Sequence, residues 1–190
     1  MATQTQQGVA RAIAPRTTWT IDPSHSVIEF AVKHMMFATV KGRFATFAGE
    51  IITEHGDPTE GAVTLVIDAD SIDTRDDKRD EHLRSNDFFG TGDHPQIAFT
   101  STRVEHVPGP GFRVHGDLTM KGVTRPVVLD AAFNGSGVNP WGQTIAAYSA
   151  TTEIDREDWD LGWNAALETG GLLVGPTVKI ALELETVRQG

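Results

Sequence analysis

Apolar residues recur at alternate positions through most of this chain, a period that places successive side chains on opposite faces of a β-strand. In Ser26–His34, Ile28, Phe30 and Val32 share one face, while Glu29 and Lys33 take the other. Val63, Leu65, Ile67 and Ala69 repeat the pattern, as do Ile97 with Phe99, and Phe112, Val114, Leu118 and Met120. Later come Val127, Leu129, Ala131 and Phe133, then Tyr148, Ala150, Thr152 and Ile154. Val178, Ile180, Leu182 and Leu184 close the series, opposed by Lys179, Glu183 and Glu185. Strands with one wet face predict antiparallel sheet.

The connections agree. Pro108-Gly109-Pro110-Gly111 and Lys121-Gly122 are turn-formers between neighbouring alternating runs and predict hairpins. Phe44 and Phe47 are three apart with Gly49 following, which predicts a bulge or bend within a long strand. One helix is expected over Arg75–Ser85, with Thr74 as its cap, Asp76 and Asp77 in its first turn and Asp80 paired to Arg84. Leu83 is its only large aliphatic residue, so it should lie across a barrel end, anchored by Ile72 and Phe88-Phe89. A shorter helical turn is expected around Asp155–Leu161, anchored by Trp159. The whole predicts an all-β, lipocalin-like extended antiparallel barrel of about eight strands, closure being favoured over a sandwich because it removes exposed edges.

Composition narrows the function. The chain has 190 residues, with Lys and Arg numbering 16 against 26 Asp and Glu, a net charge of −10. That surface repels phosphate backbones and anionic headgroups, which disfavours nucleic-acid and general membrane-surface binding but leaves local basic patches open. The absence of cysteine removes disulfides, thiolate nucleophiles and sulfur-ligated zinc. Met1–Arg16 is polar or Ala-rich with no apolar core of a signal peptide, and no run is long enough to span a bilayer. These features predict a disordered or edge-lying tail over residues 1–16, a single barrel domain over 17–188, a cytoplasmic location and no stable membrane insertion.

Catalytic motifs are absent: there is no phosphate-binding glycine loop, nucleophile elbow or HExxH. Asp22-Pro23-Ser24-His25-Ser26 holds Asp, Ser and His together, but side chains this close in sequence are expected to point apart, as an Asp-Pro turn whose Ser and His cap backbone groups. The seven histidines show no metal-ligand spacing. His55, His106 and His115 read as solvated, and His94 as a loop residue before Pro95. His34 shares the phase of Ile28, Phe30 and Val32, so it is either a polar group at a cavity mouth or a histidine satisfied by a neighbouring strand. Arg75, Arg79 and Arg84 are either a solvated helix face or a clamp for an anionic head group. Trp159 and Trp163 are expected at a boundary between core and water, because their indole N–H groups need partners.

Taken in order, these segments resemble the YceI-like family. Thr20–Phe30 (TIDPSHSVIEF), Val32–His34 and Gly42–Phe44 open the likeness, and Ser71–Thr74, Arg79–Phe89 (RDEHLRSNDFF) and His94–Phe99 continue it. Gly116–Thr124, Asp155–Trp159 and Gly175–Ile180 complete it, from about Trp19 to Val187. The resemblance implies a barrel whose apolar lumen holds a polyisoprenoid, an isoprenoid quinone or a fatty-acid-like amphiphile, for transport or storage. It implies a homodimer, no cofactor beyond that lipid, and no catalytic residues.

Alternation alone does not distinguish a filled interior from a tunnel, so three functions stand. The leading one is a non-catalytic carrier whose ligand contacts are Ile28, Phe30, Val32, His34, Phe44, Ile97, Phe99, Leu118, Met120, Val127, Leu129, Ile180 and Leu182. Each buried methylene contributes roughly 0.8 kcal/mol, so an apolar chain binds without a strong polar contact. The second is an enzyme acting on such a lipid, with His34 as acid or base assisted by Ser26 or a nearby carboxylate. The third is a stress-related interaction domain with a solid core.

Overall fold

The computed structural model describes residues 16–190 apart from 110 and 169, so the tail expected over residues 1–16 lies outside it except for Arg16. The strands are β1 (Arg16–Ile21), β2 (Val27–His34), β3 (Ala38–Phe44), β4 (Phe47–Glu54), β5 (Asp57–Asp68), β6 (Ile72–Asp73), β7 (Gln96–His106), β8 (Gly111–Met120), β9 (Val123–Val138), β10 (Thr144–Asp155) and β11 (Val174–Arg188). The helix α1 (Asp77–Arg84) lies between β6 and β7, and short 3-10 turns occupy Ala69–Ser71 and Arg156–Trp159.

Eight strands close the barrel in the order β1-β4-β5-β7-β8-β9-β10-β11, with β1 returning to β11. All these pairings are antiparallel. The 15-residue β11 serves two partners: Thr186–Arg188 pair with β1, while Val174–Glu183 pair with β2. β1 and β2 are therefore two halves of one kinked edge. At the corner between them, Ser26 Oγ stands in for the missing ladder, accepting from the Glu185 N–H at 2.9 Å and donating to the Glu185 carbonyl at 3.3 Å.

The second bend falls where Phe44 and Phe47 predicted it. β3 ends at Phe44 and β4 begins at Phe47; the N–H groups of Ala45 and Thr46 turn to the carbonyl and hydroxyl of Ser71. β3 thus leaves the barrel wall, pairing with β2 on one side and with β6 on the other. The β8–β9 connection is the expected tight turn, with Lys121 and Gly122 both left-handed (φ 48° and 75°). The Lys121 ammonium also donates to the carbonyls of Asn86 (3.0 Å) and Asp160 (2.9 Å), tying two end loops to that turn.

The helix differs from its expected form in three ways. It starts at Asp77, because Arg75 is left-handed (φ 64°), and its cap is Asp76, whose carboxylate accepts from the Arg79 N–H at 3.1 Å. Thr74 is instead buried against Asp80, which accepts from its N–H at 2.9 Å and also from its hydroxyl. Asp80 therefore does not pair with Arg84, which binds the carbonyls of Asp70 (2.8 Å) and Ile72 (2.9 Å). Satisfying backbone groups outweighed a surface ion pair of a few tenths of a kcal/mol, ~0.3–0.5 for an i,i+4 helix pair.

Inside, large side chains lie over glycines. Phe99 covers Gly116, and Phe30 covers Gly42; a Cβ at either glycine would stand 2.4 Å from the ring. Trp159 is buried outright, with its indole N–H donating to the Leu118 carbonyl at 3.0 Å, so the boundary position expected for it is not found. Trp163 does sit half-buried, stacked edge-on against His82 with ring centroids 4.6 Å apart.

Candidate functional site

The barrel is not solid. It encloses a cavity of about 210 Å³ whose wall presents no polar surface. β11 contributes Val174, Val178, Ile180, Leu182 and Leu184 to that wall. Val174 to Leu184 spans about 33 Å of strand, or about 25 Å along the axis at a strand tilt near 40°. Spread over such a length, 210 Å³ corresponds to a narrow bore. For scale, an engineered apolar cavity of roughly 150 Å³ stays dry and accepts benzene.

The period-2 pattern predicts most of the wall. Ile28, Phe30, Val32, Phe44, Ile97 and Phe99 line the cavity, as do Leu118, Met120, Val127, Leu129, Ile180 and Leu182. His34 is not among the lining residues: it sits half-buried at the last rung of β2, paired with Ala38 and with Val174, at the end of the wall. Two of the three arginines offered as a head-group clamp are also otherwise engaged. Arg79 donates to the Thr74 hydroxyl (2.7 Å) and carbonyl (2.8 Å), and Arg84 holds Asp70 and Ile72.

Leu83 of α1 and the Phe88-Phe89 pair cover one end of the passage, as the helix composition predicted. Phe30, Phe44 and Phe89 form a chain of rings there, with centroids 5.7 and 5.9 Å apart. Midway, Ala131 and Ala150 lie side by side across the β9–β10 ladder and both face the lumen. Their small side chains leave room that a larger residue would fill. Tyr148 lies on the same face of β10, and burial raises its phenol above the ordinary tyrosine value.

Arg156 is a wall residue that strand patterning missed, although it continues the phase of Tyr148, Ala150, Thr152 and Ile154 by one step. Its side chain is 4% exposed, and the guanidinium donates to the carbonyls of Gly175 (3.0 Å), Leu161 and Val174. Burial pulls it below the ordinary arginine range, opposed by the nearby carboxylates of Glu157 and Asp155. Its polar atoms are spent on backbone carbonyls, and it lines the cavity without giving the wall a polar surface. It is a clamp between the turn after β10 and the start of β11.

The Asp22–Ser26 segment departs from expectation, because the turn folds its side chains together rather than apart. Asp22 accepts from the Ser24 N–H (2.9 Å) and hydroxyl (2.6 Å), and its other oxygen lies 2.9 Å from His25 Nδ1. Ser24 Oγ also approaches Nδ1, at 3.2 Å. Serine and carboxylate thus address the same ring nitrogen, so the imidazole does not relay a proton between them. The Ser24 hydroxyl, then His25, hold the Asp22 carboxyl down at about 2, and Asp22 first, with Glu185, raises the His25 value. Among the described residues, Asp22, His25 and Glu185 form the group whose donor atoms come close enough for a metal, within 4.8 Å. His25 is exposed and hydrogen bonds account for the closeness, so we assign no metal to it.

Comparison with known proteins agrees with this architecture. A UPF0312 protein of Staphylococcus epidermidis is 39% identical over 170 residues, covering 89% of this chain and 96% of the relative. BcnA of Burkholderia cenocepacia shares the fold with a TM-score of 0.76 and 22% identity over 87% of this chain and 98% of its own. A polyisoprenoid binding domain from Saccharophagus degradans superposes with a TM-score of 0.64 and 18% identity, covering 90% of this chain and 98% of that domain. The profile of the YceI-like domain matches residues 19–186. With its eight-stranded closed barrel and that match, the chain belongs to the YceI-like family.

Proposed function

We propose that this protein is a non-catalytic carrier that sequesters one long apolar chain, a polyisoprenoid or a fatty-acid-like tail, in the barrel. The observation that carries this reading is the cavity of about 210 Å³ whose exposed surface is apolar. The surface that the lumen offers a guest is apolar, which suits a hydrocarbon better than a reacting centre in need of an acid, base or oxyanion donor. Ten buried methylenes contribute about 8 kcal/mol gross, the scale of a micromolar complex before ordering costs. The polyisoprenoid-binding character of the Saccharophagus degradans relative supports the ligand class. His34, on which an enzymatic reading rests, is not among the lining residues.

Specificity then comes from passage length and bore rather than from a head-group clamp. The twelve aliphatic and aromatic wall residues anticipated from alternation are the proposed contacts, joined by Leu83, Phe88, Phe89, Ala131, Ala150 and Arg156. The test is to purify the protein from its native host without delipidation, extract it with organic solvent and identify the lipid by mass spectrometry. A single long-chain lipid near one per protein is expected. No lipid, together with no uptake of added polyprenol or fatty acid, would contradict the carrier.

A further inference from the structure

The cavity's helix-covered end is flanked by two hairpin tips that share an apolar surface. The three-residue β2–β3 connection exposes Met36 (58%) and Phe37 (78%), and the neighbouring 164–173 hairpin exposes Leu172 (40%). The two tips are joined: the Met35 N–H donates to the Leu173 carbonyl at 2.8 Å, and Met36 packs on Gly171. The tips lie immediately beyond Val32 and Val174, which belong to the cavity wall.

Two features set this patch apart from a chance exposure. Met35 and Met36 are both left-handed (φ 51° and 70°), a conformation that favours glycine or asparagine, so the turn presents methionine where its backbone disfavours it. The charge of the segment that forms the first tip also runs against the whole. In a chain of net charge −10, residues 33–41 carry Lys33 and Lys41 and no acid, the two lysines standing diagonally on the outer face of the β2–β3 ladder. Glu168 on the facing hairpin is the acidic residue nearby in sequence to Leu172. At the opposite end of the barrel, Val138 (70%) and Trp141 (78%) are equally exposed, yet residues 126–155 contain no Lys or Arg.

We propose that the Met36–Phe37–Leu172 patch, flanked by Lys33 and Lys41, docks this protein on an anionic phospholipid bilayer and sets the mouth of the cavity against it. The inference rests on the carrier reading and names the surface from which the chain is collected. Apolar tips enter the acyl boundary while lysines meet the headgroups, the arrangement by which peripheral proteins hold an interface.

The test is flotation with phosphatidylcholine vesicles, with and without phosphatidylglycerol, alongside polyprenol loading from detergent micelles. Wild-type protein should float with the anionic vesicles and be released by salt. The double variant Met36→Ser/Phe37→Ser should bind about tenfold more weakly or worse, as expected for loss of buried apolar side chains, and Lys33→Gln/Lys41→Gln should remove the preference for the anionic lipid. Trp141→Ser should change nothing. Because both tip residues are exposed, the variants should keep the wild-type unfolding midpoint and still load from micelles. Wild-type protein that loads from micelles but binds no vesicle, or binds both compositions equally, or depends on Trp141, overturns the docking and leaves the carrier standing. Vesicle binding through Phe37 without loading from either source upholds the docking and removes the carrier.

Discussion

Arg156 donates its Nε–H to the Gly175 carbonyl at 3.0 Å, so the turn that ends β10 is held to the start of β11 by one buried cation. The same guanidinium reaches Leu161 and Val174, and a planar fork can address three carbonyls where an ammonium cannot. Removing it leaves buried carbonyls without donors. Arg156→Met should therefore cost about 3 kcal/mol in denaturant unfolding, and Arg156→Lys should recover little of it. A loss below ~0.5 kcal/mol would show that the clamp is dispensable.

Gly116 makes the interior possible at Phe99. A Cβ there would stand 2.4 Å from the Phe99 ring and 2.6 Å from the Thr100 carbonyl oxygen, so the ring must move and the backbone must follow. Gly116→Ala should lower stability by about 1–3 kcal/mol, the usual range for overpacking. Pairing it with Phe99→Leu should restore part of the loss, because the smaller side chain frees the space. Additive losses in the double variant would contradict this contact as the cause.

The barrel was legible because half-buried strands leave a period of two in the chain. Ile28, Phe30 and Val32, or Ile180 and Leu182, face the lumen as their alternation requires. The bend between Phe44 and Phe47 was legible for the same reason, since a spacing of three breaks the phase. Arg156 was within reach too, one step beyond Ile154 on the same face, but a charge at an inward position reads as the end of a strand. What was not legible depends on three-dimensional closure. Whether inward side chains meet or leave a passage is set by bore, and the Thr74–Asp80 and Asp22–His25 contacts are set by how turns fold back.

The Asp22–His25 contact sets a pH dependence. His25 has its value raised from 6.5, so its contribution to stability is complete below about pH 6.5 and fades as pH rises through the raised value. Asp22 is held down from 3.8 to about 2, so its contribution is present above 3.8 and fades as pH falls towards 2. Both act between these limits. His25→Ala should lower the unfolding midpoint more at about pH 5 than at about pH 8. An equal drop at both would mean that the pair's charge contributes nothing.

The carrier depends on an open bore, and Ala150 offers the most direct way to close it. Ala150 faces the lumen beside Ala131, so Ala150→Phe places a ring across the passage at an overpacking cost of about 1–3 kcal/mol, which leaves the barrel folded. The measurement is native mass spectrometry of delipidated wild-type and Ala150→Phe protein incubated with a polyprenol. Wild-type protein should take up one chain, and the folded variant should take up at least about tenfold less. Equal uptake by the two, or none by folded wild-type protein, would contradict lipid sequestration in the barrel.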